Sequence, residues 1–174
     1  MNANDLFKVN NDGNLIVYKL FRIDKFGNLR PLYVNANEIM EQNVWIEAKV
    51  GPLVDEIHVK ASGCGGKLSL RPGLHSGAVP CADWIGKRDK DGTLMQRKDT
   101  VWCECEVRGS QIEVTQRYGL RTIPEGWYFF KTNSRQEYPW VISKWIKINK
   151  VLSNKEVDEI CAEFGIVSQK REIA

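Results

Sequence analysis

Between Thr100 and Val107 the side chains alternate without a break: Val101, Cys103, Cys105 and Val107 fall on one side, and Trp102, Glu104 and Glu106 on the other. Successive residues of a strand point to opposite faces, so a period of two fixes an extended segment with one apolar face. The apolar face is expected in a core and the Trp-Glu-Glu face toward solvent.

Other segments read as partners for this strand. Leu15 to Ile23 and Leu29 to Val34 are rich in β-branched and aromatic residues and flank the turn cluster Asp24-Lys25-Phe26-Gly27-Asn28, which predicts a hairpin. Val44 to Val50, Lys67 to Arg71, Trp127 to Lys131 and Trp140 to Asn149 read as further strands, the last with Ile142, Ile146 and Ile148 on one side. Leu53 to Lys60 is weakly patterned, Ser62 to Gly66 reads as a flexible connector, and Lys87 to Asp99 as a long polar loop.

Helical signals are few. A short helical turn is expected around Asn37 to Glu41, and Pro80 suits the start of a short helix through Ala82, Asp83, Trp84 and Ile85 that Gly86 closes. Ser153 and Glu156 form a capping box ahead of the stripe Val157, Ile160, Cys161 and Phe164, with Gly165 as the stop. These elements predict an α+β fold: a mixed, mainly antiparallel sheet, few short helices and a capped C-terminal helix. The length of 174 residues suits one domain. We place it at 15–171, after a flexible leader over 1–14 and before a tail at 172–174.

Five cysteines, an odd number in a chain of this size, argue against a secreted disulfide framework. No apolar run approaches the roughly 18 residues of a membrane span, and Met1-Asn2-Ala3-Asn4-Asp5 lacks the pattern of a secretory signal. A cytoplasmic protein with no membrane partner is expected. Zinc would require clustered thiolates and imidazoles, but Cys103 and Cys105 flank a single residue on a core face, so buried reduced thiols are expected and no metal.

Four places could carry chemistry. In Arg71-Pro72-Gly73-Leu74-His75 the turn brings a planar guanidinium and an imidazole together, suited to one anion or ribose; alternatively, Arg71 binds loop carbonyls and His75 caps a neighbouring element. Glu104 and Glu106 are neighbouring carboxylates, one of which could have a raised pKa, and Glu137 is a loop carboxylate beside Tyr138 and Trp140. From Arg117 to Lys150, basic residues interleave with aromatics, the pattern of a surface for single-stranded nucleic acid or a host protein, although strand cores need aromatics anyway.

Leu70-Arg71-Pro72-Gly73-Leu74-His75, Val101 to Glu106 and Val151-Leu152-Ser153 through Val157, in this order, resemble a small domain of phages and integrated mobile elements, found alone or fused to large polyvalent proteins. More distantly, the chain is similar to ADP-ribosyltransferase-like folds. That resemblance implies NAD or a related nucleotide as cofactor, held by Arg22, Arg71, His75 and Trp84, with Glu137 and His75 as the catalytic pair. The position two residues before the catalytic glutamate, Glu or Gln in that superfamily, is Arg135 here. The implied function is modification of a host target, and it needs these side chains in one cleft.

Overall fold

A computed structural model describes residues 3–82, 85 and 87–173. Its framework is a large antiparallel sheet. In chain order the strands are β1 (Leu15–Ile23), β2 (Leu29–Arg30), β3 (Trp45–Glu47), β4 (Leu53–Asp55), β5 (His58–Lys60), β6 (Lys67–Ser69), β7 (Leu74–Gly77), β8 (Lys87–Arg88), β9 (Leu94–Gln96), β10 (Thr100–Val107), β11 (Trp127–Phe130), β12 (Trp140–Ser143), β13 (Trp145–Val151) and β14 (Lys170–Arg171). Among the described residues the α-helices are the single turn α1 (Ala3–Leu6) and α2 (Asn154–Glu163), and Cys64–Gly66 makes a 3-10 turn.

The main sheet runs β11-β12-β7-β1-β10-β13-β3, with β2 also paired to β1. The longest ladder joins the two best-patterned segments, β1 and β10, in register from Leu15 opposite Val107 to Arg22 opposite Thr100. One residue, Lys144, separates β12 from β13, yet three strands stand between them in the sheet. The sheet must therefore curl. Its two edges meet at that residue: Lys144 N donates to Gly126 O, just before β11, and Lys144 O accepts from Ala48 N, just after β3. The single strand expected over 140–149 is thus two strands, broken where the backbone turns to serve both edges.

The concave side holds the main core, in which Val17, Phe21, Cys103, Cys105, Val107, Val141, Ile146 and Ile148 are buried. The expected leader contributes to it, since Phe7 is only 6% exposed and its ring stacks on Phe129 with centroids 5.3 Å apart. A second cluster lies on the convex side. There α2 lays Val157 and Cys161 against Trp102, Tyr18 and Leu20, so the face of β10 expected in solvent is covered, with Trp102 at 3% exposure. The capping box forms as read: Ser153 Oγ accepts from Glu156 N at 3.2 Å, and Glu156 Oε2 accepts from Ser153 N at 2.8 Å.

Smaller elements depart from expectation. The weakly patterned 53–60 segment forms the β4–β5 hairpin and continues into β6, and the polar 87–99 stretch forms the β8–β9 hairpin, to which β14 adds in parallel. Asp89 Oδ1 nucleates that second hairpin by accepting from Asp91 N and Thr93 N, a local turn bond that hydrophobic periodicity does not register. Residues 37–41 form no helix. Of the helix expected after Pro80, Asp83, Trp84 and Gly86 lie outside the described residues, while Ala82 and Ile85 share one turn-like bond of 3.3 Å.

Candidate functional site

The side chains expected around a nucleotide are distributed over separate places. Glu137 is exposed and lines a pocket of about 90 Å³ with Gly77, Val79, Cys81, Trp140 and Ile166. Next to it, burial and then the charge of Glu137 push the Tyr138 hydroxyl above its ordinary pKa. Arg71, His75 and Arg22 do not line this pocket. Arg71 precedes β7, whereas the pocket opens past its last residue, so the strand stands between them. Arg22, at the end of β1, donates to the Ala36 carbonyl at 2.7 Å. Trp84 lies outside the described residues.

Arg71 and His75 build a corner. Arg71 O lies 3.0 Å from His75 Nε2, and because a carbonyl can only accept, that nitrogen carries the proton and donates. Burial first, and then the charge of Lys19, push the His75 pKa down to about 4. Strands β1 and β7 share only the pair Tyr18 and Gly77, and Lys19 Nζ reaches across to donate to His75 O at 2.7 Å. Burial lowers the pKa of this amine to about 8.

A pH dependence follows from His75. Its folded pKa lies below the unfolded value of 6.5, so between about 4 and 6.5 the unfolded chain binds the extra proton. Stability is expected to fall as pH drops through that window, by on the order of 2 kcal/mol once partial solvent screening is allowed for. Urea melts of wild type and His75→Gln at pH 7 and pH 4.5 measure it. An equal acid loss in both proteins would rule out His75 as the source.

Arg71 also organises the loop above it. Its Nε donates to Tyr118 O at 3.1 Å, and its guanidinium carbon sits 3.7 Å from the centroid of the Phe130 ring. Leu120 N donates to the Tyr128 hydroxyl at 3.2 Å. Gly119 has φ +73, and a Cβ there would meet that hydroxyl at 2.9 Å, so glycine suits both the backbone and the space. Arg121 Nη1 donates to Ile57 O and Leu70 O, tying the loop to the β4–β5–β6 sheet. These bonds match the structural reading of Arg71, and they present Arg117, Tyr118 and Arg121 outward, Tyr118 being 59% exposed.

Positive charge along this surface is uncompensated. Among the described residues no carboxylate lies within ion-pair distance of Arg71, Arg117, Arg121, Lys131, Lys60 or Lys67. Lys60 and Lys67 stand directly opposite each other in the β5–β6 ladder, both exposed. No local pattern marks these two, because a glycine-rich connector separates them and only strand pairing aligns them.

Much of the remainder of 117–150 is used elsewhere. Trp127 and Tyr128 are buried, Lys144 pairs with Glu125 and Glu47, and Lys147 pairs with Glu106. The carboxylate pair also differs from expectation, since Glu106 is only 7% exposed. Burial would raise its pKa, but hydrogen bonds from Asn149, Lys147 and Asn14 outweigh burial and hold it below the ordinary value.

Cys103 and Cys105 are buried free thiols with pKa values raised by burial, which leaves them poor nucleophiles. Among the described residues no group of three or more His, Cys, Asp or Glu is placed to hold a metal ion, and no helix is long and apolar enough to cross a membrane. Comparison of the chain with protein families, curated proteins and solved structures returns no match.

Proposed function

We propose that the protein binds single-stranded nucleic acid, without catalysis, along the cationic track formed by Arg117, Tyr118 and Arg121 over Arg71, with Lys60 and Lys67 on the adjoining small sheet. The observation that carries this reading is that Lys60 and Lys67 stand opposite each other across the β5–β6 ladder, neither with a carboxylate within ion-pair distance among the described residues. Like charges directly opposite destabilise a sheet, and a bound polyanion removes that repulsion. Tyr118 supplies an exposed ring for base stacking, Arg117 supplies a fork for a phosphate, and Arg71 and Arg121, whose donors partly serve loop carbonyls, add positive charge. An accessory protein of a mobile element has a use for such binding.

The NAD reading, with Glu137 and His75 as the catalytic pair, has less support. The pocket beside Glu137 is about 90 Å³, whereas small-molecule sites begin near roughly 300 Å³. His75 and Arg22 also spend donors on backbone carbonyls.

Fluorescence anisotropy of a labelled single-stranded oligonucleotide, titrated at several salt concentrations, tests the proposal. Engagement of four of these cations predicts a slope of log K against log salt of about −3. Affinity should fall tenfold or more in the Lys60→Glu/Lys67→Glu double variant, by roughly the effect of reversing two phosphate contacts. Lys144→Ala, which removes an already paired charge, should change little. An affinity indifferent to salt, or unchanged in the double variant, defeats the proposal.

A further inference from the structure

Arg108 lies directly after β10, against two indole rings. Its guanidinium carbon lies 4.5 Å from the Trp45 ring centroid and 4.4 Å from that of Trp145, so the group is sandwiched between two indoles. The indoles come from paired strands. In the β13–β3 ladder Trp145 faces Glu47 and Lys147 faces Trp45, which makes Trp45 and Trp145 diagonal neighbours on one face of the sheet.

The neighbouring cation is already used. Lys147 Nζ lies 5.2 Å from the Trp45 centroid and pairs with Glu106 at 3.1 Å, and Glu106 also accepts from Asn14 and Asn149. Glu106 is therefore satisfied without Arg108, although both lie on the same face of the chain. Among the described residues Arg108 makes no hydrogen bond and no ion pair. Its charge is stabilised by the ring faces, no protein group among the described residues accepts from its N–H donors, and it remains partly exposed.

We propose that Arg108, clamped between Trp45 and Trp145, is a binding site for a carboxylate or phosphate group. With two indoles against the guanidinium, its N–H edge is what it offers a ligand, and there paired N–H groups match two oxygens of one anion. The clamp removes the freedom that a surface arginine loses on binding, so the fork is set before the anion arrives. The site lies on other strands than the cationic track and stands independently of it.

Tryptophan fluorescence provides the readout, because two indoles flank the ligand. The protein is titrated with sodium acetate and separately with sodium phosphate at fixed ionic strength, with chloride as the filler salt. We expect a saturable change with at least one of the two, and which one responds identifies the anion class. Arg108→Lys keeps the charge but loses the fork, and should weaken binding by roughly tenfold or more, the effect of one charge-assisted hydrogen bond. Arg108→Gln should abolish it, with circular dichroism confirming the fold; if that variant does not fold, the lysine variant decides. A response no greater than with chloride, or equal in wild type and Arg108→Lys, means that the stack serves packing only and overturns the proposal. Oligonucleotide affinity should persist in Arg108→Lys, and the anion response should persist in Lys60→Glu/Lys67→Glu, so the two sites fail or succeed separately.

Discussion

Gly126→Ala is expected to lower the unfolding free energy by about 3 kcal/mol or more. A Cβ at this position would lie 2.0 Å from Ser110 O, 3.1 Å from its carbonyl carbon and 3.3 Å from its nitrogen. All three are backbone atoms, so no side-chain rotation relieves the overlap and the chain itself must move. That movement would disturb the place where the curled sheet closes. Gly126 O accepts from Lys144 N at 3.0 Å, Trp127 N donates to Ser110 O at 3.1 Å, and Ile112 N donates to Trp127 O at 2.8 Å. The same strands support the loop that carries Arg117, Tyr118 and Arg121, so oligonucleotide affinity should fall as well. Urea denaturation followed by circular dichroism measures the stability. Gly27→Ala is the control: its Cβ meets nothing within 4 Å, and only its φ of +84 opposes the change, so a cost of about 1 kcal/mol is expected. Similar losses in the two variants would show that the Ser110 contact does not hold the seam.

The second large effect is expected at Glu106. Truncation to alanine should cost about 2–4 kcal/mol, since it strands a partly buried ammonium and two amides that a single carboxylate had satisfied. Asn149 Nδ2 donates to one oxygen at 2.9 Å, and Asn14 Nδ2 and Lys147 Nζ donate to the other at 3.0 and 3.1 Å. Glu106→Gln retains an acceptor but removes the charge that Lys147 faces, and should fall between wild type and alanine. The carboxylate's folded pKa lies below its ordinary value, so its contribution is present at neutral pH and fades as acid protonates it. The gap between wild type and Glu106→Ala should therefore narrow from pH 7 toward pH 3. A gap under about 0.5 kcal/mol at pH 7, the scale of an ordinary surface substitution, would place the network outside the stabilising core.

Local rules carried much of the fold. β1 and β10 could be read because strand alternation repeats within each segment, and α2 because a capping box and an apolar stripe are contiguous in sequence. Where local signals were weak, the outcome depended on partners. β4, β5 and the β8–β9 hairpin are short and held by turns and neighbouring strands, and the break at Lys144 arises because two sheet edges require its backbone at once. The Trp-Glu-Glu face of β10 alternates as a solvent face would, but α2 covers Trp102 and Asn14, Asn149 and Lys147 enclose Glu106.

For the site, sequence by itself determined the chemistry available: an arginine and a histidine around a Pro-Gly turn, and cations interleaved with aromatics in one stretch. Tertiary structure alone decided which of them act together. It tied His75 to the Arg71 carbonyl, set Glu137 beyond the far end of β7, and divided the 117–150 segment between core, ion pairs and one cationic loop. It also brought in residues that no local pattern marked, Lys60 against Lys67 and Arg108 between Trp45 and Trp145. The physical reason is common to both. Charge and stacking act through space over a few ångströms, and strand pairing sets those distances between residues far apart in the chain.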